Sequence, residues 1–260
     1  MQNKPFYPVN NPVTLLPMTS DFVFKEVLGQ EESKPILMVF LNDILGLSIR
    51  TPDQIELINP EVNPEYIDDK LCILDIRVQL SDRTGIDVEI QVVNQHNILP
   101  RAVFYTCRLC SDQLKRGDDY SQLRPSLGLN LLCFDLYQDD RFYRSFVLKD
   151  KETNDAYAND TSYLEICIFE IRKALKQIHK QRQLETKQLS QLSKKDQWVL
   201  FLTSGKKEVL EKLAQTDQTF YEAFERLATV SSDEKMLAMY RNREKALMDW
   251  NSSIKAAREE

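Results

Sequence analysis

The chain has 260 residues, 42% hydrophobic and 28% charged, ordinary proportions for a globular protein with one large domain or a domain and an appendage. A net charge of -6 excludes a generally basic nucleic-acid coat, so any such partner must meet a local basic patch. No apolar run nears the ~20 residues of a membrane span, and the start lacks a basic segment leading into an apolar one, so a cytoplasmic protein with no membrane contact is expected.

Residues 1–19 hold four prolines and little apolar periodicity, which predicts an extended lead-in. Ser20 is placed to cap a helix over "DFVFKEVLG", with Gly29 as its stop. Ser33 opens a second helix with Pro35 in its first turn. There Ile36, Leu37, Phe40, Leu41, Ile44 and Leu45 fall at helical spacing ahead of Gly46. "IELINPEV" reads as a short strand with a turn at Asn59-Pro60. From Asp53 to Asp69 six acids occur without a Lys or Arg, as in a solvated loop.

Residues 74–92 alternate. Leu74, Ile76, Val78 and Leu80 share one parity, matched on the return by Ile86, Val88, Ile90 and Val92. The opposite parity reads Asp75, Arg77, Gln79, then Asp87, Glu89, Gln91. A hairpin closed by the loop "SDRTG" is expected. With Leu80 opposite Ile86, Asp75 faces Gln91, Arg77 faces Glu89, and Asp75 lies diagonal to Glu89. Diagonal Cβ atoms are ~7–8 Å apart, within reach of one shared cation. An exposed polar face with an Arg77–Glu89 ion pair would give the same pattern. Against it, "CILDI" sets an acid among large apolar residues, where an unpaired charge is costly.

After Pro100, "RAVFYTCRLCSDQLKRG" has a helical pattern through Val103, Phe104, Cys107 and Leu114, with Gly117 as a stop. It would cover one face of the sheet. "SLGLNLLCFDL" reads as an interior strand and "RFYRSFVL" as another. From Thr161 glycine nearly vanishes, and the rest is expected to be helical, with breaks near Ser193, Ser204-Gly205, Thr216 and Ser231-Ser232. The order predicts an α/β (α+β) core over 20–160 and an all-α region over 161–260. Cys72, Cys107, Cys110, Cys133 and Cys167 form no disulfide framework, and the lone Cys107/Cys110 pair lacks the partners of a zinc site.

Six segments, "DFVFKEVLG", "IDDKLCILDIRVQL", "GIDVEIQ", "PRAVFY", "QLKRGDDYSQL" and "SLGLNLLCFDL", occur in that order between Ser20 and Leu136. Together they resemble the recombination-promoting nuclease/putative transposase family of the PD-(D/E)xK nuclease superfamily, with a looser match in the tail. The resemblance implies an αβββαβ core, a mixed sheet flanked by helices, and a metal-dependent DNA endonuclease linked to recombination or transposition. It makes Asp75 and Glu89 the two acids that bind Mg²⁺ or Mn²⁺. Gln91 stands where the superfamily has a lysine. Asp21 and Lys25 match an Asp and a Lys of the family's first helix, and Gln113, Gly117 and Tyr120 match its "QLKRGDDY" motif.

Phosphodiester hydrolysis needs a cation to neutralise the phosphate and acidify a water. Asp75 and Glu89, with the backbone carbonyl of Ile90, are the expected ligands. Gln91 can orient a water but carries no charge, and losing a placed electrostatic group costs on the order of 10²–10³ in rate. Lys70, five residues before Asp75, is a candidate to supply that charge. Between Arg172 and Lys195 eight Lys or Arg face the single acid Glu185. Arg172, Lys173, Lys176, Lys180 and Arg182 are the expected phosphate contacts, although a solvated helix face would read the same. Two other functions stay open on the sequence. One is a catalytically weak or inactive relative that binds DNA or a protein. The other is a helical interaction module with Met236, Met239, Tyr240, Leu247 and Trp250 as its apolar stripe. Core packing, or a homo-oligomer formed through the C-terminal helices, accounts for the same five.

Overall fold

The computed structural model describes residues 15–58, 76–158, 162–181 and 189–259. Helices α1 (Asp21–Leu28) and α2 (Lys34–Leu45) form where spacing and end signals predict them. Gly46 ends α2 at φ 72°, a left-handed conformation in which a side chain would be strained. Then come β1 (Ile55–Ile58), β2 (Ile76–Leu80), β3 (Gly85–Gln91), helix α3 (Ile98–Ser111), β4 (Ser126–Leu132), β5 (Tyr143–Val147) and β6 (Leu164–Glu170). The tail follows as α4 (Ile171–Gln181), α5 (Lys194–Thr203), α6 (Lys207–Ala214), α7 (Gln218–Ser232) and α8 (Glu234–Glu259). Among the described residues the strands form one mixed sheet in the order β1-β2-β3-β4-β6-β5. β1, β2 and β3 are antiparallel neighbours, β3, β4 and β6 run parallel, and β5 closes the edge antiparallel to β6.

Every residue of β3 and β4 is buried, because helices cover both faces of the sheet. Ile86, Val88 and Ile90 of β3 join Leu127, Leu129 and Leu131 of β4 in the main core, which also takes in α1, α2 and the C-terminal helices. On the other face lies α3, whose Ile98 meets Leu132, Phe134 and Ile168 in a smaller core. Helix α5 is buried around its whole circumference after its charged first turn. Gln197 to Leu202 are all buried, and Trp198 packs edge-on to Phe40 with its indole N–H donating to Asp43 at 2.8 Å.

Three expectations are corrected. First, "LEICIFE" is strand β6, paired with β4 on one side and β5 on the other, and not helix. Second, the buried face of α3 is Ile98, Ala102, Thr106 and Leu109, whereas Val103, Phe104 and Cys107 are exposed. At its middle the helix lies so close to the sheet that small side chains, Ala102 and Thr106, face it there. A Cβ at Gly128 would come within 2.2 Å of Thr106 Oγ1. Gly128→Ala should therefore lower stability by about 1–3 kcal/mol, measured by urea denaturation, as α3 is forced outward. Third, the hairpin register differs by two residues: Ile76 faces Val88, Arg77 faces Asp87 and Val78 faces Ile86. The loop is shorter than expected. The Leu80 N–H donates to the Thr84 carbonyl and Arg83 takes the left-handed position at φ 70°, a three-residue loop with a bulge.

No helix among the described residues is long and apolar enough to cross a membrane. The tail stripe divides. Met236 and Tyr240 pack against the main core and Met239 is exposed, while the side chains of Leu247 and Trp250 lie outside those described.

Candidate active site

The polar parity of the hairpin lies on the α3 side of the sheet, buried beneath that helix. Asp87, Glu89 and Gln91 project from β3, and Ser126, Gly128 and Asn130 stand beside them on β4. Buried carboxylates are tolerated only when partnered, and each has a guanidinium. Arg77 Nε lies 3.4 Å from Asp87 Oδ1 across the hairpin. Arg101 Nη2 lies 2.5 Å from Glu89 Oε1, reaching down from the first turn of α3. The same Oε1 accepts from Gln91 Nε2 at 2.7 Å, so two donors fix the orientation of the Glu89 carboxylate. Arg101 lies 5.6 Å from the centre of the Tyr105 ring, and its Nε is buried with no hydrogen-bond partner among the described residues. Asn130, opposite Glu89 on β4, is internally committed, donating to the carbonyls of Gly128 and Cys167.

The backbone adds an oxygen. The Gln91 carbonyl accepts from Cys133 on the β4 side, and backbone groups of successive strand residues point to opposite neighbours. The Ile90 carbonyl therefore faces the β2 side. Glu89 itself is one step past the last described pair of that ladder, Ile76 with Val88. A buried carboxylate beside a backbone carbonyl is the hard oxygen set that Mg²⁺ and Mn²⁺ prefer. Among the described residues no three His, Cys, Asp or Glu side chains cluster as a metal site, so an ion here needs a further oxygen ligand. Asp75 and Lys70 lie outside the described residues, as does Arg182.

Asp21 and Lys25 belong to α1, which packs on the apolar face of the sheet. Gln113 is a loop clamp: its amide N–H donates to Ser126 Oγ at 2.8 Å and to the Arg124 carbonyl at 3.1 Å, and its Oε1 accepts from the Arg124 N–H at 2.9 Å. Gly85 pairs with Ser126 and Glu89 with Asn130, so the clamp sits about 13 Å along the strands from Glu89. Tyr120 is exposed in the same loop, and Gly117 supplies a positive φ of 98° there.

The parallel register sets Gln91, Leu132 and Glu170 level at one end of the sheet, and α4 begins directly after Glu170. Arg172, Lys176 and Lys180 are exposed at spacings of four, one basic face on α4. Lys176 also pairs with Asp135 at 2.7 Å. Lys173 is corrected as a phosphate contact: it is buried, donating to Glu170 at 2.8 Å and to the Tyr137 carbonyl at 2.7 Å. Glu170 in turn accepts from the N–H groups of Leu136 and Tyr137, which ties the turn after β4 to the end of β6. The described cysteines are free, and burial pushes the Cys133 thiol up to about 12 and that of Cys167 up to about 11.

Arg101 is the site residue that sequence reasoning missed. Its signal was present in "PRAVFY", but the loop between β3 and α3 separates it from Glu89 in the chain, and only folding joins them. A family model for "PD-(D/E)XK nuclease family transposase" matches residues 18–257. No curated protein and no solved structure gives a significant match.

Proposed function

This chain belongs to the PD-(D/E)XK nuclease family of transposases, and on that premise we propose that it is a divalent-metal-dependent DNA endonuclease acting in recombination or transposition. The observation that carries the reading is Glu89, a buried carboxylate near the end of β3, held by Gln91 and Arg101 and one step beyond the last described pair of the β2–β3 ladder. Asp75 directly precedes Ile76, the first described residue of β2, and Ile76 pairs with Val88, the residue before Glu89. Asp75, Glu89 and the Ile90 carbonyl are the proposed ligands of Mg²⁺ or Mn²⁺. The bound cation supplies charge neutralisation at the phosphate and a more acidic water. Glu89 keeps its rotamer because Gln91 and Arg101 both donate to one of its oxygens. Gln91 thus acts as a support for the acid.

The DNA path is proposed to follow the sheet end where β3, β4 and β6 finish, the usual ligand edge of parallel strands. The exposed basic face of α4 rises from that edge two strands away from Glu89, a lateral offset of about 10 Å. Arg172→Ala and Lys180→Ala should each flatten the dependence of log K on log salt by about 1, measured by fluorescence anisotropy on duplex DNA.

One observation favours binding without cutting: Gln91 offers no charge and its amide is already engaged by Glu89. Incubation with supercoiled plasmid and Mg²⁺ or Mn²⁺ separates the two readings. The wild type should nick the plasmid and Asp75→Ala should not. Equal background from both proteins, with DNA binding retained, would reject the endonuclease.

A further inference from the structure

We infer that Arg101 supplies the positive charge that position 91 lacks, contacting the phosphate of a bound DNA strand while holding Glu89; the inference rests on the nuclease reading above. Three observations carry it. Arg101 Nη2 and Gln91 Nε2 converge on the same Glu89 oxygen, at 2.5 and 2.7 Å. The guanidinium therefore occupies the neighbourhood that a longer cationic side chain at 91 would serve. Second, the contact with Glu89 is made through one nitrogen only. An arginine serving solely to neutralise a carboxylate favours the two-pronged fork, in which both edge nitrogens are used. Here Nε is buried and lacks an acceptor among the described residues, an arrangement that costs stability unless something else accepts from it. A phosphate oxygen would meet the exposed part of the side chain instead of the buried Nε, the side chain being 20% exposed.

Third, the side chain is both fixed and reachable. Its root is in the first turn of α3, a helix held against the sheet by the close approach of Thr106 to Gly128. The Tyr105 ring flanks the guanidinium, and the Arg101 side chain is still 20% exposed whereas that of Glu89 is 7% exposed. Arg101 thus lies between the buried carboxylate and solvent. Its charge would meet negative charge developing on the phosphate, where a preorganised group contributes most.

The test uses the full chain, plasmid DNA and Mn²⁺. Arg101→Ala should lower kcat about a hundredfold or more with KM within about threefold. Arg101→Gln keeps a donor for Glu89 without the charge and should lose as much, while Arg101→Lys should retain part of the rate. Adding Gln91→Lys to Arg101→Ala should restore at least about tenfold, since position 91 reaches the same oxygen. Calorimetric titration gives a readout independent of cleavage. Mn²⁺ should bind Arg101→Gln as tightly as wild type or more tightly, because a repelling charge has gone. Cleavage by Arg101→Gln at the wild-type rate overturns the inference alone. Mn²⁺ binding weakened about tenfold in that variant, with a lowered melting temperature, also overturns it by reducing Arg101 to a structural prop. A wild type that binds Mn²⁺ yet cuts no DNA overturns the nuclease reading and this inference with it.

Discussion

Glu89→Gln is expected to lower metal-dependent cleavage by about a thousandfold or more, because one charged ligand of the proposed ion is lost. The fold should survive. A glutamine oxygen can still accept from Arg101 or Gln91, whose donors now converge on Glu89. The cost in urea denaturation should be about 1–2 kcal/mol, since charged acceptors are replaced by neutral ones. Glu89→Ala is different. It removes the carboxylate that Arg101 pairs with, and about 3 kcal/mol should be lost, near the low end for a broken buried pair because Arg101 is partly exposed. Saturating Mn²⁺ should raise the unfolding midpoint of the wild type and leave that of either variant unmoved, as mass action requires for an ion bound only by the folded site.

Trp198→Ala should be the most damaging single change outside the site, lowering stability by about 3–5 kcal/mol in the same assay. The indole is fully buried, packed on Phe40 of α2 and on Phe201 and Phe220 of the tail, and it donates to Asp43. It joins residues near either end of the chain. If the sheet and the tail form one core, loss of the indole should shift a single cooperative transition. Two separated transitions would mean that the tail unfolds by itself.

The sequence made some of this legible through strong local signals. Period-two alternation located β2 and β3 and gave the correct parity, so Glu89 was placed on the right face. Loop chemistry misled the register. Gly85 looked like the turn residue, whereas the left-handed position is filled by Arg83, and Gly85 is small because Leu109 of α3 packs against it, 3.2 Å from where a Cβ would lie. β6 was hidden because a short apolar strand runs directly into a basic helix without a break. The inward face of α3 was misread because its middle buried positions, Ala102 and Thr106, are small or polar, while the large Val103 and Phe104 face outward. Arg101 and Gln113 required tertiary knowledge. One is carried to Glu89 by the crossover helix, and the other closes a loop at the far end of the strands.

The central claim is that Glu89, with Asp75, holds a divalent cation. Titration of Mn²⁺ followed by electron paramagnetic resonance tests it directly. The wild type should take up one equivalent of Mn²⁺, and Asp75→Ala and Glu89→Gln should each lose it. Binding of unchanged affinity in Glu89→Gln would contradict the account.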